Sequence, residues 1–356
     1  MRDLIEHSIK VITREQAPSG AYPACSSFAV YGYAWLRDGA FVAESMRAHG
    51  IADGARAFHE WTARVLTDRA ERIEAVVAAL TAGEEIDQAR FLPTRYTLDG
   101  ADGSESWWDF QLDGYGTWLW ALQRHLDGST DHAFAGAVTL TVRYLCAAWR
   151  LPCYDWWEEH AEQVHVATLA SVEAGLRAAL RTGLLADGDA GTASSTADAI
   201  AAVIAADGSV DGRLRKWLGS DAVDGSLLAA VAPFRLADDA TARRTVAAVE
   251  RDLLDDGGVH RFRADVFYGG GRWPVLAGLL GQSYLRLGRP GDARRQLAWI
   301  AGTAADNGDL PEQVSDRLLH PQQRQEWLER WGPVATPLLW SHAAYLSLAA
   351  ELGVTL

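Results

Sequence analysis

The chain has 356 residues, 49% hydrophobic and 22% charged, and its 47 acidic and 33 basic side chains give a formal charge of −14. Such a composition is too apolar for a disordered chain, and the acidic balance argues against a nucleic-acid face or a basic membrane-surface helix. At roughly 150 residues per domain, the length suits one large domain or two ordinary ones.

Apolar residues at helical spacing predict helices over about 3–16, 37–49, 52–82, 112–126, 130–149, 162–183 and 192–206. A short helix is expected near 212–218, then further helices over about 239–254, 273–287, 290–304 and 334–352. Strand-like alternation is nearly absent, which disfavours a parallel sheet with crossover helices. The joints are turn-rich, as at Leu98-Asp99-Gly100 and Tyr268-Gly269-Gly270-Gly271. The Asp/Gly/Ser-rich stretch 184–226 is the best boundary candidate, but helical patterns continue on both sides. The expectation is an all-α chain of about twelve helices forming a single domain over 1–356. A stacked solenoid and a closed barrel of six helical hairpins both fit that count.

Cys25, Cys146 and Cys153 are too few and too oddly numbered for a disulfide framework. The charged start Arg2-Asp3-Leu4-Ile5-Glu6 lacks the apolar stretch of a signal peptide, and no run of about 18 apolar residues occurs. A reduced, cytoplasmic protein without membrane or nucleic-acid partners is expected. Fifteen tryptophans against ten tyrosines and nine phenylalanines are unusual. Such rings either fill a core or line a pocket where flat ligands such as sugars stack.

Tryptophan and acid groups coincide in three segments. In Tyr31-Gly32-Tyr33-Ala34-Trp35-Leu36-Arg37-Asp38, aromatic rings lead into an Arg-Asp pair at a helix start. Asp38 can cap that helix, or the pair can grip sugar hydroxyls. In Trp107-Trp108-Asp109-Phe110-Gln111-Leu112-Asp113, paired rings precede two polar groups. This segment reads either as a core seal or as stacking combined with polar recognition. Tyr154-Asp155-Trp156-Trp157-Glu158-Glu159 crowds three carboxylates against two tryptophans. An apolar wall and neighbouring negative charge raise a carboxyl pKa, as a general acid requires, whereas a solvated acidic helix start is the plain alternative. Glu312, in Asp309-Leu310-Pro311-Glu312-Gln313, is by itself a surface-loop carboxylate, but two-carboxylate glycoside hydrolysis needs a second group of this kind.

Other chemistries lack their motifs. There is no phosphate-binding G-x-x-x-x-G-K-[ST] or strand-associated G-x-G-x-x-G, no G-x-S-x-G elbow and no H-E-x-x-H. His160 and His165 are five apart, the wrong spacing for one helix face, so no metal site is expected.

These clusters, with Tyr268 to Trp273 and Pro337-Leu338-Leu339-Trp340-Ser341-His342, resemble in their order the glycoside hydrolase family 15 of glucoamylases, glucodextranases and trehalases. The resemblance implies an (α/α)6 barrel and inverting cleavage of α-glucosidic bonds from the non-reducing end. By position it makes Glu158 the general acid and Glu312 the general base, with their carboxyls roughly 6.5–9.5 Å apart. It places Arg37 and Asp38 on the hydroxyls of the terminal glucose and Tyr31 near the anomeric centre. Trp35, Trp107, Trp157 and Trp340 become pocket rings. Gln111 and Asp113 enter the site through the resemblance alone, Asp113 either on the sugar or in support behind it. Glu159 and Arg272 match positions that reach the leaving-group sugar. No cofactor is implied. No N-terminal β-sandwich or starch-binding module is expected, which favours short oligosaccharides. Isomaltose-type α-1,6 substrates are the leading expectation. Maltose-type α-1,4 substrates or trehalose, or a non-catalytic sugar-binding role, are the alternatives.

Overall fold

The structure, a computed structural model, describes residues 2–104, 107 and 109–354, so Trp108 lies outside the described residues. Among these residues there are fourteen α-helices: α1 (Arg2–Glu15), α2 (Leu36–Ala48), α3 (Ala52–Thr67), α4 (Ala70–Thr81), α5 (Asp113–Leu126), α6 (Ala135–Ala148), α7 (Val166–Arg181), α8 (Asp187–Ala206), α9 (Leu227–Val231), α10 (Asp239–Asp252), α11 (Pro274–Arg286), α12 (Pro290–Gly302), α13 (Arg324–Trp331) and α14 (Leu339–Glu351).

Six of them close a ring. Helix α2 packs on α5, α5 on α7, α7 on α9, α9 on α11, α11 on α14, and α14 returns to α2. Outside this ring α3 lies on α2, α8 on α7, α10 on α9, α12 on α11 and α1 on α14, while α6 rests on α3, α5 and α8. The result is an (α/α)6 barrel with inner and outer helices alternating along the chain, and α4 and α13 are additions to it. The two layers differ in sequence for a physical reason. Outer α1 buries only the stripe Ile5, Ser8, Val11 and Ile12, whereas inner α7 is buried on nearly every face from Val166 to Leu176. Inner helices also need small residues to fit round one axis. A Cβ on Gly116 would lie 2.3 Å from the Ser171 carbonyl oxygen, and one on Gly175 would lie 2.4 Å from that of Gly116. Backbone therefore meets backbone between α5 and α7.

The connections are asymmetric. Inner-to-outer links are short, such as 49–51 between α2 and α3 and 287–289 between α11 and α12. Outer-to-inner links are long, such as 16–35, 149–165 and 303–338. All the long ones arrive at the N-terminal ends of inner helices, where loops carry function on a fixed scaffold.

Several sequence expectations change. The stretch 52–82 is two helices, because Arg69 leaves the helical region (φ −108, ψ 17) and its guanidinium turns back onto the Val65 carbonyl and across to Gly100 and Asp102. The helix expected near 212–218 is absent. A hairpin of β3 (Ser209–Val210) and β4 (Arg213–Leu214) stands there, and Asp211 and Gly212 both take positive φ, the signature of a tight two-residue turn. Asp256-Gly257 repeats the device between β5 (Leu254–Asp255) and β6 (Gly258–Val259). A third pair, β1 (Ala34–Trp35) and β2 (Arg95–Tyr96), sets Trp35 opposite Arg95. Helices α9 and α13 have no counterpart in the sequence expectation, and α14 starts at Leu339 rather than 334.

Candidate active site

A cavity of about 220 Å3 opens where the N-terminal ends of the inner helices converge. Each ring helix delivers groups to it or beneath it. Arg37 and Asp38 stand in the first turn of α2, Asp113 begins α5, Asp224 precedes α9, Trp273 precedes α11, and Trp340 lies in the first turn of α14. Helix N-termini favour the negative charge gathered there.

Glu158 sits on the tight turn 155–159 ahead of α7. Asp155 closes the turn, its Oδ1 accepting the amides of Trp157 and Glu159 at 2.9 Å each, while the Glu158 amide donates to the Asp155 carbonyl at 3.0 Å. This forces Glu158 to φ +61, a conformation costing a non-glycine residue of order 1 kcal/mol and typical of functional positions. Its carboxylate accepts the indole N–H of Trp35 at 2.6 Å on one oxygen and that of Trp107 at 2.7 Å on the other. Trp107 is itself backed by the Arg95 guanidinium, 4.1 Å from its ring centroid. Burial pushes the Glu158 carboxyl up to about 7. Arg37 and the two indoles oppose that rise, and Asp38 reinforces it.

Glu312 faces the same cavity from the long crossing between α12 and α14. Its amide donates to the Ala335 carbonyl at 2.9 Å, and Ser341 Oγ donates to the Pro311 carbonyl at 2.7 Å. The Leu310 amide donates to His342 Nε2 at 3.0 Å, so the proton of that imidazole lies on Nδ1, which donates to Ser8 Oγ at 2.9 Å. Burial, with His7 nearby, drives the His342 pKa down to about 3, so the ring stays neutral. The Tyr31 hydroxyl donates to Glu312 Oε1 at 2.9 Å, while Oε2 is buried without a hydrogen bond from the protein. Burial pushes this carboxyl up to about 8, with Tyr31 and Arg261 pulling the other way.

On the cavity floor Arg37 pairs with Asp113 at 2.7 Å and lies 3.6 Å from Asp38, and its guanidinium carbon sits 5.3 Å from the Trp340 ring centroid and 5.7 Å from that of Trp156. Arg37 Nε and Asp38 Oδ2 are buried without hydrogen-bond partners, one donor and one acceptor suited to sugar hydroxyls. Burial raises the Asp38 carboxyl to about 6 against the pull of Arg37.

The structure thus brings Tyr31, Trp35, Arg37, Asp38, Trp107, Trp157, Glu158, Glu159, Glu312 and Trp340 to one wall. Asp113 lies behind Arg37, fully buried. Gln111 is buried beneath the acid turn, its amide donating to the Asp155 carbonyl, and is not part of the cavity wall. Arg272 requires a correction. Its side chain points away from the cavity, donating to the Asp255 carbonyl at 2.8 Å, pairing with Asp316 and lying over Trp299. Its backbone pairs with Val314, and that pairing turns the side chain outward. Arg261 stands where Arg272 was expected, 3.1 Å from Glu159 and anchored through Nε by Asp265 at 2.8 Å. Sequence reading also missed Phe267, Trp273, Trp327 and Trp331 on the wall. Their tryptophans lay in the anomalous count, but only folding brings them to the site. Among the described residues no cluster of three or more His, Cys, Asp or Glu is arranged to hold a metal ion, and no helix is long and apolar enough to cross a membrane.

Comparison with known proteins places this geometry. The profile of glycosyl hydrolases family 15 matches residues 1–327. The isomaltose glucohydrolase of Kribbella flavida is 50% identical over 360 residues, covering 99% of this chain and 94% of that protein. A solved glycosidase is 50% identical with a TM-score of 0.97, covering 100% of this chain and 97% of its own, and a variant glycosidase in complex with glucose is 49% identical at the same TM-score. The glucoamylase of Saccharomycopsis fibuligera shares the fold at 15% identity and a TM-score of 0.74, covering 99% of this chain and 94% of its own. The chain is therefore a glycoside hydrolase and belongs to glycosyl hydrolases family 15.

Proposed function

We propose that the protein hydrolyses short α-glucosides from the non-reducing end with inversion, Glu158 acting as general acid and Glu312 as general base, and that α-1,6-linked substrates of the isomaltose type are preferred. The observation that carries this reading is the pair of buried carboxyls on one cavity, each held by a donor from a single short segment, Tyr31 and Trp35. Burial raises both carboxyls, to about 7 and about 8, so that between those values the pair carries one proton where ordinary glutamates carry none. Glu158 gives that proton to the glycosidic oxygen as its bond to the anomeric carbon breaks. Glu312 Oε2, left without a protein donor, accepts a proton from the water that attacks the opposite face. The products are β-glucose and the freed alcohol. Glu158 ends ionised and Glu312 protonated, and exchange with solvent restores both.

Arg37 and Asp38, above a floor of Trp156 and Trp340, would hold the terminal ring. Phe41 stacks on Trp340 from below, with centroids 5.5 Å apart and an angle of 19°. A pocket closed in this way admits a chain end and not a chain middle, which supports exo action. The α-1,6 preference rests on the Kribbella flavida relative. The test is kcat/KM on isomaltose, maltose and trehalose, with NMR of the first sugar released. Isomaltose should lead and β-glucose appear first, whereas preference for trehalose or release of α-glucose refutes the reading. Glu158→Gln and Glu312→Gln should each abolish isomaltose turnover while sugar binding persists.

A further inference from the structure

Lys216 is one of only two lysines in a chain whose other basic side chains, histidine aside, are all arginine. It is 3% exposed, and it lies directly beneath the turn that carries Glu158. Its ammonium is 2.7 Å from Asp224 Oδ2 and 3.3 Å from Asp155 Oδ2, and it sits over the Phe262 ring, 3.4 Å from the centroid. Both carboxylates are buried and both are spoken for on the side facing the cavity. Asp155 Oδ1 accepts the amides on either side of Glu158, and Asp224 accepts the indole N–H of Trp157 at 3.0 Å. The backbone of Lys216 is fixed as well, its amide donating to Ala222 and its carbonyl accepting from Val166, the first residue of α7. The hairpin β3–β4 delivers this segment. The misread 212–218 stretch is therefore the strut under the acid turn.

Two negative charges brought this close without a cation would drive one of them to take up a proton or to move. Either change loosens the amides of Trp157 and Glu159, two of the bonds that hold the residue between them at φ +61. A compact ammonium fits between two carboxylates above a ring, whereas a planar guanidinium is too broad for these distances. Arg261, Asp265 and Glu159 form a second charge group beside Trp157, and Glu159 adds to the negative field that Lys216 meets.

We propose that Lys216 is a positioning residue for the reaction: through Asp155 and Asp224 it sets the turn 155–159 and so aims the Glu158 carboxyl at the leaving oxygen. The inference rests on the assignment of Glu158 as general acid. It makes a claim that a purely structural role does not, namely that loss of Lys216 damages proton donation more than any other step.

The experiment compares isomaltose, whose alkoxide leaving group needs that proton, with α-glucosyl fluoride, whose fluoride leaves without one while Glu312 still activates water. Lys216→Met removes the charge at similar length, and Asp155→Asn breaks the ion pair while keeping an oxygen for the two amides. Thermal unfolding checks that each variant is folded. In both, kcat on isomaltose should fall about 100-fold, the scale of a misaimed catalytic group, and kcat on the fluoride less than tenfold. Equal losses on the two substrates in a folded variant, or no loss on either, overturns the proposal. Should Lys216→Met fail to fold, Asp155→Asn decides the matter alone. Glu158→Gln is the control. If it too loses both activities equally, the acid assignment has failed; if it spares the fluoride while the other variants do not, only the role of Lys216 has failed.

Discussion

Tyr31 and Trp35 lie four positions apart, and each donates a hydrogen bond to a different one of the two buried carboxyls, Tyr31 to Glu312 and Trp35 to Glu158. Their rings meet edge to face, centroids 5.8 Å apart at 79°. Acid and base, 154 positions apart in sequence, are thus gauged against one short piece of chain running into α2.

The pH dependence of kcat/KM should be a bell displaced above the ordinary carboxylate range, with limbs at about 7 and about 8. Below the lower limb both carboxyls are protonated and no base remains. Above the upper limb both are ionised and no acid remains. The active form carries one proton on the pair, and its division between Glu158 and Glu312 scales the height of the bell without moving the limbs. A bell centred near the ordinary glutamate value refutes the burial argument.

Removing either donor should move one limb. Trp35→Phe takes a hydrogen bond from ionised Glu158 and should raise the lower limb, while Tyr31→Phe does the same for Glu312 and should raise the upper one. Each shift should be about one to two pH units, because hydrogen bonds to charged groups contribute about 1.5–3 kcal/mol. Profiles of the two variants that move together, or not at all, contradict the separate gauging of the two groups.

Glu312 should cost the protein stability at high pH. Its folded pKa is raised above the unfolded value, so its favourable contribution is complete below the ordinary glutamate range and disappears as pH rises through about 8. Glu312→Gln keeps an oxygen for Tyr31 and never ionises. Its melting temperature should match that of the parent at low pH, exceed it increasingly from the ordinary glutamate range up to about 8, and keep a constant advantage above that. Thermal scans across that range check the sign, and a variant that becomes relatively less stable as pH rises refutes it.

Arg261 and Arg272 should separate cleanly in substrate dependence. Arg261 is 3% exposed and serves both Glu159 on the wall and the fully buried Asp265. Arg261→Met leaves Asp265 an unpaired buried charge, which costs about 3–5 kcal/mol, and should raise KM for disaccharides. Arg272→Met should leave KM within about twofold, since that side chain serves a loop junction. Steady-state kinetics with unfolding curves on both variants tests the assignment, and the reverse pattern would reinstate Arg272.

The base loop should be sensitive from behind. His342→Phe leaves the Leu310 amide and the Ser8 hydroxyl without their buried partner, for a loss of about 1–3 kcal/mol, and should lower kcat through displacement of Glu312. Chemical unfolding and kcat measured together check this, and a stable variant with full kcat counts against it.

What was legible in the sequence follows the range of the forces involved. Long amphipathic helices announce themselves by periodicity, so eleven helical stretches were placed within a few residues, and so were the ring helices that carry Arg37, Asp113 and Trp340. The expected dozen matches the twelve barrel helices in number but not in membership, and the fourteen helices of the described residues include two more, α4 and α13. The five-residue α9 is too short to show a period, and 212–218 was counted in its place although Asp211-Gly212 signals a hairpin. Trp35, Glu158 and Glu312 could be named because aromatic and acid residues are adjacent in sequence or match a family order. Arg261 could not. Nothing local distinguishes it from Arg272, eleven positions on, because the choice between them depends on which one the Val314 pairing turns outward. Gln111 shows the same limit, since the family resemblance alone put it in the site and its place beneath Asp155 gives it a backbone partner.

The uneven crossings of the barrel divide the molecule into parts that can change at different rates. Helix α13, in the long crossing 303–338, packs chiefly against the turns at 267–269 and 321–323, and it holds Trp327 and Trp331 at the rim. No helix of the ring depends on it for closure. Exchange of the segment 320–330 would therefore re-cut the outer half of the pocket while Trp331 kept its place on the Trp107 ring that holds Glu158. A new preference for the departing sugar is reachable by swapping one rim segment, with the glucose-gripping half inherited intact.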